Sequence, residues 1–79
     1  MKAVRRLGKT PKERGDTTAA TGSPDIIELD DGNFAVIGTD ITDQLGLNPL
    51  PDARCAPGER IVQISRATLI SAKSDIPER

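Results

Sequence analysis

Between Asp25 and Gly38 two apolar runs rich in branched residues, Ile26-Ile27-Glu28-Leu29 and Phe34-Ala35-Val36-Ile37, flank Asp30-Asp31-Gly32-Asn33. Asp-Gly between such runs predicts a β-hairpin closed by a two-residue type I′ loop at Asp31-Gly32. That register sets Leu29 against Phe34, Glu28 against Ala35, Ile27 against Val36 and Ile26 against Ile37. Ile27, Leu29, Phe34 and Val36 then form one apolar face, while Ile26, Glu28, Ala35 and Ile37 form a mixed one. A slip of one residue would break this segregation.

A third strand is expected at Arg60 to Ser65, where Ile61, Val62 and Ile64 follow the turn-like Ala56-Pro57-Gly58. Ser65 has the character of a helix N-cap, and Leu69, Ala72 or Lys73, and Ile76 recur at helical spacing before Pro77. A short helix over Arg66 to Lys73 is predicted to lie across the apolar sheet face. In the long segment between the second and third strands, Thr39 or Asp40 as a cap, Ile41 and Leu45 four apart, and Gly46 suggest one or two helical turns. Leu47-Asn48-Pro49-Leu50-Pro51 then reads as a proline-stiffened crossover over the sheet edge.

Residues 1–24 lack such periodicity. Ala3, Val4 and Leu7 are their only sizeable apolar cluster, and Gly8 and Pro11 interrupt any longer helix. This stretch carries Lys2, Arg5, Arg6, Lys9, Lys12 and Arg14 against Glu13 and Asp16, a side-chain charge of +4, and the remainder carries five cations against ten carboxylates, −5. The net charge of −1 is a cancellation between two unlike parts. The expected organisation is a disordered basic tail, residues 1–23, followed by a small domain, residues 24–79. Its fold class is α+β, a three-stranded antiparallel sheet (hairpin plus third strand) with a short C-terminal helix.

Composition removes most enzyme chemistry. There is no His and one Cys among 79 residues, so a His general base, a Ser-His-Asp or Cys-His nucleophile and a Cys/His zinc site within one chain all lack their parts. The carboxylates Asp25, Glu28, Asp30, Asp31, Asp40 and Asp43 are dense, but turn and cap preferences account for most of them, and their spacing fails the EF-hand pattern. Cys55 beside Arg54 has either a lowered thiol pKa or the role of a small packed hydrophobe; without a resolving Cys, packing is favoured. The glycines form neither a P-loop nor a dinucleotide-binding fingerprint. Glu28, Asp40 and Cys55 are the best enzymatic residues and share no spacing logic. Neither a cofactor nor a small-molecule substrate is expected.

A core of Ile, Leu and Val with a single aromatic, Phe34, is small, and apolar positions occupy both hairpin faces. Either the crossover covers the second face through Leu45, Leu47 and Leu50, or a partner does. The leading expectation is a non-enzymatic module that binds a partner protein or itself through Ile26, Ile37, Leu45, Leu47 and Leu50. The alternative is a nucleic-acid-associated accessory protein whose arm, Lys2, Arg5, Arg6, Lys9, Lys12 and Arg14, contacts phosphates. No apolar run approaches a membrane span and no secretory h-region is visible, so a cytoplasmic, non-membrane protein is expected.

The run from Pro24 to Thr42, which fits D-[IV]-x-E-L-x-x-G-x-F-A-V-I-G-x-D-x-T, followed by Gly58-Glu59-Arg60-Ile61-Val62-Gln63-Ile64-Ser65-Arg66 and Lys73-Ser74-Asp75-Ile76-Pro77, resembles short actinobacterial proteins of a family without assigned function. The resemblance covers residues 24–77. The layout is also similar to small actinobacterial domains that occur beside helix-turn-helix regulators. The resemblance implies a small cytoplasmic protein with a regulatory or accessory role, and brings no catalytic residues.

Overall fold

The computed structural model describes residues 1–18 and 22–78. Residues 19–21 of the expected tail, and Arg79, lie outside the described residues. The chain forms a small α+β structure. Strands β1 (Ala3–Arg6), β2 (Asp25–Leu29) and β3 (Phe34–Ile37) make an antiparallel sheet in the order β1-β2-β3. Helical turn α1 (Pro11–Arg14) follows β1, and helix α3 (Arg66–Ala72) runs into a 3-10 turn, Lys73–Asp75. Between them, β4 (Thr39–Asp40) and β5 (Val62–Gln63) form a separate two-stranded ribbon, with helical turn α2 (Thr42–Leu45) between them in sequence.

The expected disordered tail gives way to structure at the N-terminus. β1 pairs with β2, with Ala3 opposite Leu29, Arg5 opposite Glu28 and Arg6 opposite Ile27, and a bulge at Val4. The Leu7 amide continues the ladder by donating to the Ile26 carbonyl at 2.9 Å. α1 carries a full capping box: the Thr10 side chain accepts from the Glu13 amide and the Glu13 carboxylate accepts from the Thr10 amide. Pro11 opens it and Gly15, at φ +83°, closes it in the left-handed region. These local signals outweigh the polar composition once Leu7 has a core to enter.

The hairpin forms one residue out of the expected register. Ile26 faces Val36, Ile27 faces Ala35 and Glu28 faces Phe34. The loop has three residues, Asp30-Asp31-Gly32, because the Leu29 amide donates to the Asn33 carbonyl (2.9 Å) and the Gly32 amide donates to the Leu29 carbonyl (3.2 Å). A type I′ loop needs a positive φ at Asp31, but within this loop Gly32 alone adopts one, at +88°. The Asp31 carboxylate instead accepts from the Asn33 amide at 2.9 Å, which holds a type I turn followed by a glycine bulge. The shift places Ile26, Glu28, Phe34 and Val36 on the same face, toward α3. Ile27, Leu29, Ala35 and Ile37 lie on the other.

The expected third strand does not join this sheet. Val62 and Gln63 pair with Asp40 and Thr39, and β1 takes the free edge of β2. Gly38 permits this, because a Cβ there would overlap the Gln63 carbonyl oxygen and approach Ile64 Cγ2 to 3.2 Å. The helix fits its expectation: Ser65 is the N-cap, its hydroxyl accepting from the Thr68 amide at 3.1 Å. α3 packs on β2, and Leu7, Ile26 and Ala72 form the buried cluster, with Ile64 against it.

Candidate interaction surface

A buried polar cluster fixes the N-terminal segment against the rest of the chain. Arg14 has a side chain only 2% exposed. It donates to Thr68 Oγ1 (2.6 Å), to the Pro24 carbonyl and to Asp25 Oδ1 (3.2 Å), and lies 3.4 Å from Asp16 Oδ2. Asp16 in turn accepts from Ser65 Oγ (3.0 Å) and Thr68 Oγ1 (3.3 Å). Asp25 also receives Arg6 through two hydrogen bonds, of 2.8 and 3.2 Å. Among the described residues no buried side-chain polar atom lacks a partner. A cation this deeply buried needs such a set of acceptors. At the neighbouring edge, the Gly8 amide donates to Asp75 Oδ2 (2.7 Å) and the Lys9 amide to Ser71 Oγ (2.9 Å), tying the segment after β1 to the C-terminal helix.

The six cations of the expected phosphate-binding arm therefore divide. Arg5 pairs with Glu28 (2.8 Å), Arg6 with Asp25, and Arg14 is enclosed, whereas Lys2, Lys9 and Lys12 have no ion pair among the described residues. The pair with Asp25 raises the Arg6 pKa above its ordinary value, so the guanidinium stays charged within the fold.

The residues considered for chemistry have separate engagements. Glu28 receives Arg5. Asp40 accepts from the Thr42 amide (3.0 Å), the Thr42 hydroxyl (2.7 Å) and Arg60 (3.0 Å), which bring its carboxyl down to about 2. Cys55 is buried and its thiol donates to the Glu59 carbonyl at 3.2 Å, beside an open depression of about 520 Å³ lined by residues including Arg54, Arg60 and Ile61. No group of three metal-ligating side chains is present among the described residues. None of their helices is long and apolar enough to cross a membrane.

Apolar surface is the outstanding feature. Of the residues expected to bind a partner, Ile26 is buried under α3 and leaves that set, because the register shift turns it inward. Ile37, Leu45, Leu47 and Leu50 are all exposed, and the crossover does not enclose them. Sequence reasoning missed a second apolar region on the helix side of the sheet. There a groove of about 190 Å³ is lined by Leu7, Ile26, Phe34, Leu69 and Ile76. Phe34, Val36, Leu69 and Ile76 are 42–57% exposed. The available signals were Leu69 and Ile76 at helical spacing and Leu7 next to a glycine; the missing element was β1, which brings Leu7 to the groove.

Compared with known proteins, the chain matches no family model, no curated protein and no solved structure.

Proposed function

We propose that this chain is a non-enzymatic interaction module that binds a partner protein or a second copy through its exposed apolar surface. The observation that carries this reading is the excess of surface. A compact monomer of 8.4 kDa has an accessible area of about 4,600 Å², whereas this chain exposes 6047 Å². Its radius of gyration is 13.7 Å, against about 11.6 Å for a compact chain of this length. Among the described residues the buried apolar side chains are Leu7, Pro11, Ile26, Cys55 and Ala72. Eleven large apolar side chains among the described residues remain exposed, several on the sheet and α3. Surfaces of this kind mark association sites. The regulatory or accessory role implied by the resemblance of residues 24–77 belongs to the same proposal.

The phosphate-arm alternative is weakened by the internal pairing of Arg5, Arg6 and Arg14. The test is the native size of the protein in extract of its own cells and after purification. Association predicts elution above the 8.4 kDa monomer, and a return to monomer size when Phe34 and Leu69 are both replaced by Glu. Monomer size in both settings for the unaltered chain would overturn the reading.

A further inference from the structure

We infer that the occupant of this surface is a second copy of the chain, joined by antiparallel pairing of the two β3 strands across a two-fold axis; this rests on the association reading above. β3 is the outer strand of its sheet. In the observed register Ala35 and Ile37 lie opposite Ile27 and Asp25 in the hydrogen-bonded pairs, continuing the Leu29–Asn33 pair. The N–H and C=O groups of Phe34 and Val36 therefore point away from β2. No described residue meets them: β4 turns off at Gly38 to pair with β5.

Natural edge strands are blunted by Lys, Pro, bulges or inward charges. Phe34-Ala35-Val36-Ile37 carries none of these. A two-fold axis at Ala35 places Phe34 opposite Val36 of the other copy and Val36 opposite its Phe34, so four outward groups on each strand find four partners. Backbone pairing alone is open to any extended strand; what a second copy adds is the cross-strand pair of Phe34 with Val36, an aromatic ring against a β-branched side chain, made twice about the axis. The pairing also sets Phe34 and Val36 of both copies side by side on the face that carries the apolar groove. With a net charge of only −1, two copies repel each other weakly. Phe34 and Val36, 42% and 45% exposed, supply apolar surface for this pairing to cover.

The test is sedimentation equilibrium of the purified full chain from micromolar to near-millimolar concentration, with the Val36→Pro variant alongside. Proline at 36 removes only the outward amide, which β2 does not use, so the β2–β3 pairing survives. The unaltered chain is expected to approach twice the 8.4 kDa monomer mass. Val36→Pro, losing two of the four bonds across the axis, is expected to weaken the dimer about 30-fold. Val36→Lys, which keeps the backbone donor, serves as a second variant if the proline variant loses its native circular dichroism, and it too should weaken the dimer. A monomer at every concentration would overturn the inference, as would a dimer that neither variant weakens. If the purified chain is monomeric while the native protein in extract is larger, the second copy is ruled out and the association reading stands.

Discussion

Replacing Arg14 with Met tests whether the N-terminal segment is part of the fold. Methionine keeps much of the aliphatic stem and removes every donor. The change deprives the Pro24 carbonyl of its Arg14 donor and takes a cation from between Asp16 and Asp25, in a site where the Arg14 side chain is 2% exposed and Asp25 6%. Removing one partner of a buried ion pair costs about 3–5 kcal/mol. Asp25 still holds Arg6, and Asp16 still accepts from Ser65 and Thr68, so the lower end applies, about 3 kcal/mol. A chain of 79 residues has a total stability of only about 4–12 kcal/mol. In a domain of this size each kcal/mol moves the melting temperature by roughly 4–8 °C, so Arg14→Met should lower it by about 12–24 °C. Thermal and urea unfolding followed by circular dichroism measure this. A loss below about 0.5 kcal/mol, the range of ordinary surface substitutions, would mean that Arg14 is solvated and the segment is undocked.

Other expectations concern single contacts. Gly38→Ala should cost about 1–3 kcal/mol, because the added methyl meets the Gln63 carbonyl oxygen, and the β4 and β5 amides should exchange faster in hydrogen-exchange measurements; an unchanged melt would contradict the close approach. Ser65→Ala removes the helix cap and a hydroxyl bound to Asp16, and denaturant unfolding should show a loss of about 1–2 kcal/mol. The Asp40 carboxyl, with its pKa depressed, contributes stability that is full above the ordinary carboxylate range and disappears as pH falls toward about 2. Carboxyl-carbon NMR titration should place its midpoint near 2, and Thr42→Val should raise it; a midpoint at the ordinary value of 3.8 would show that the Thr42 contacts are absent.

The parts of the fold legible in the sequence were those with strong local chemistry. Ser65 as a cap, the helix after it and the two strands of the hairpin all form where pattern and capping place them. The hairpin register was not legible, because Asp-Gly supports two loop types. The choice fell to the Asp31 carboxylate, which bonds the Asn33 amide and holds Asp31 out of the left-handed region. That one-residue difference brings Ile26 and Glu28, in place of Ile27 and Leu29, to the helix side beside Phe34 and Val36, and moves Ile26 into the core. The N-terminus was misread for another reason. Its composition is polar, yet Thr10-Pro11-Lys12-Glu13 is a capping box with proline at the first helical position, and Arg14 finds acceptors from residues 10 to 68 that no local pattern reveals. Of the candidate surface, Ile37, Leu45, Leu47 and Leu50 were visible as apolar positions beyond the needs of one face. The groove depends on Leu7 meeting Leu69 and Ile76, a contact set only by tertiary structure.

The central claim, that the outer edge of β3 is an association surface, is tested most directly by residue-resolved amide hydrogen exchange at increasing protein concentration. The Ala35 and Ile37 amides, bonded to β2, should be protected at every concentration. The Phe34 and Val36 amides should exchange freely in dilute solution and become protected as the chain is concentrated. Free exchange at Phe34 and Val36 throughout, with Ala35 and Ile37 protected, would contradict the account.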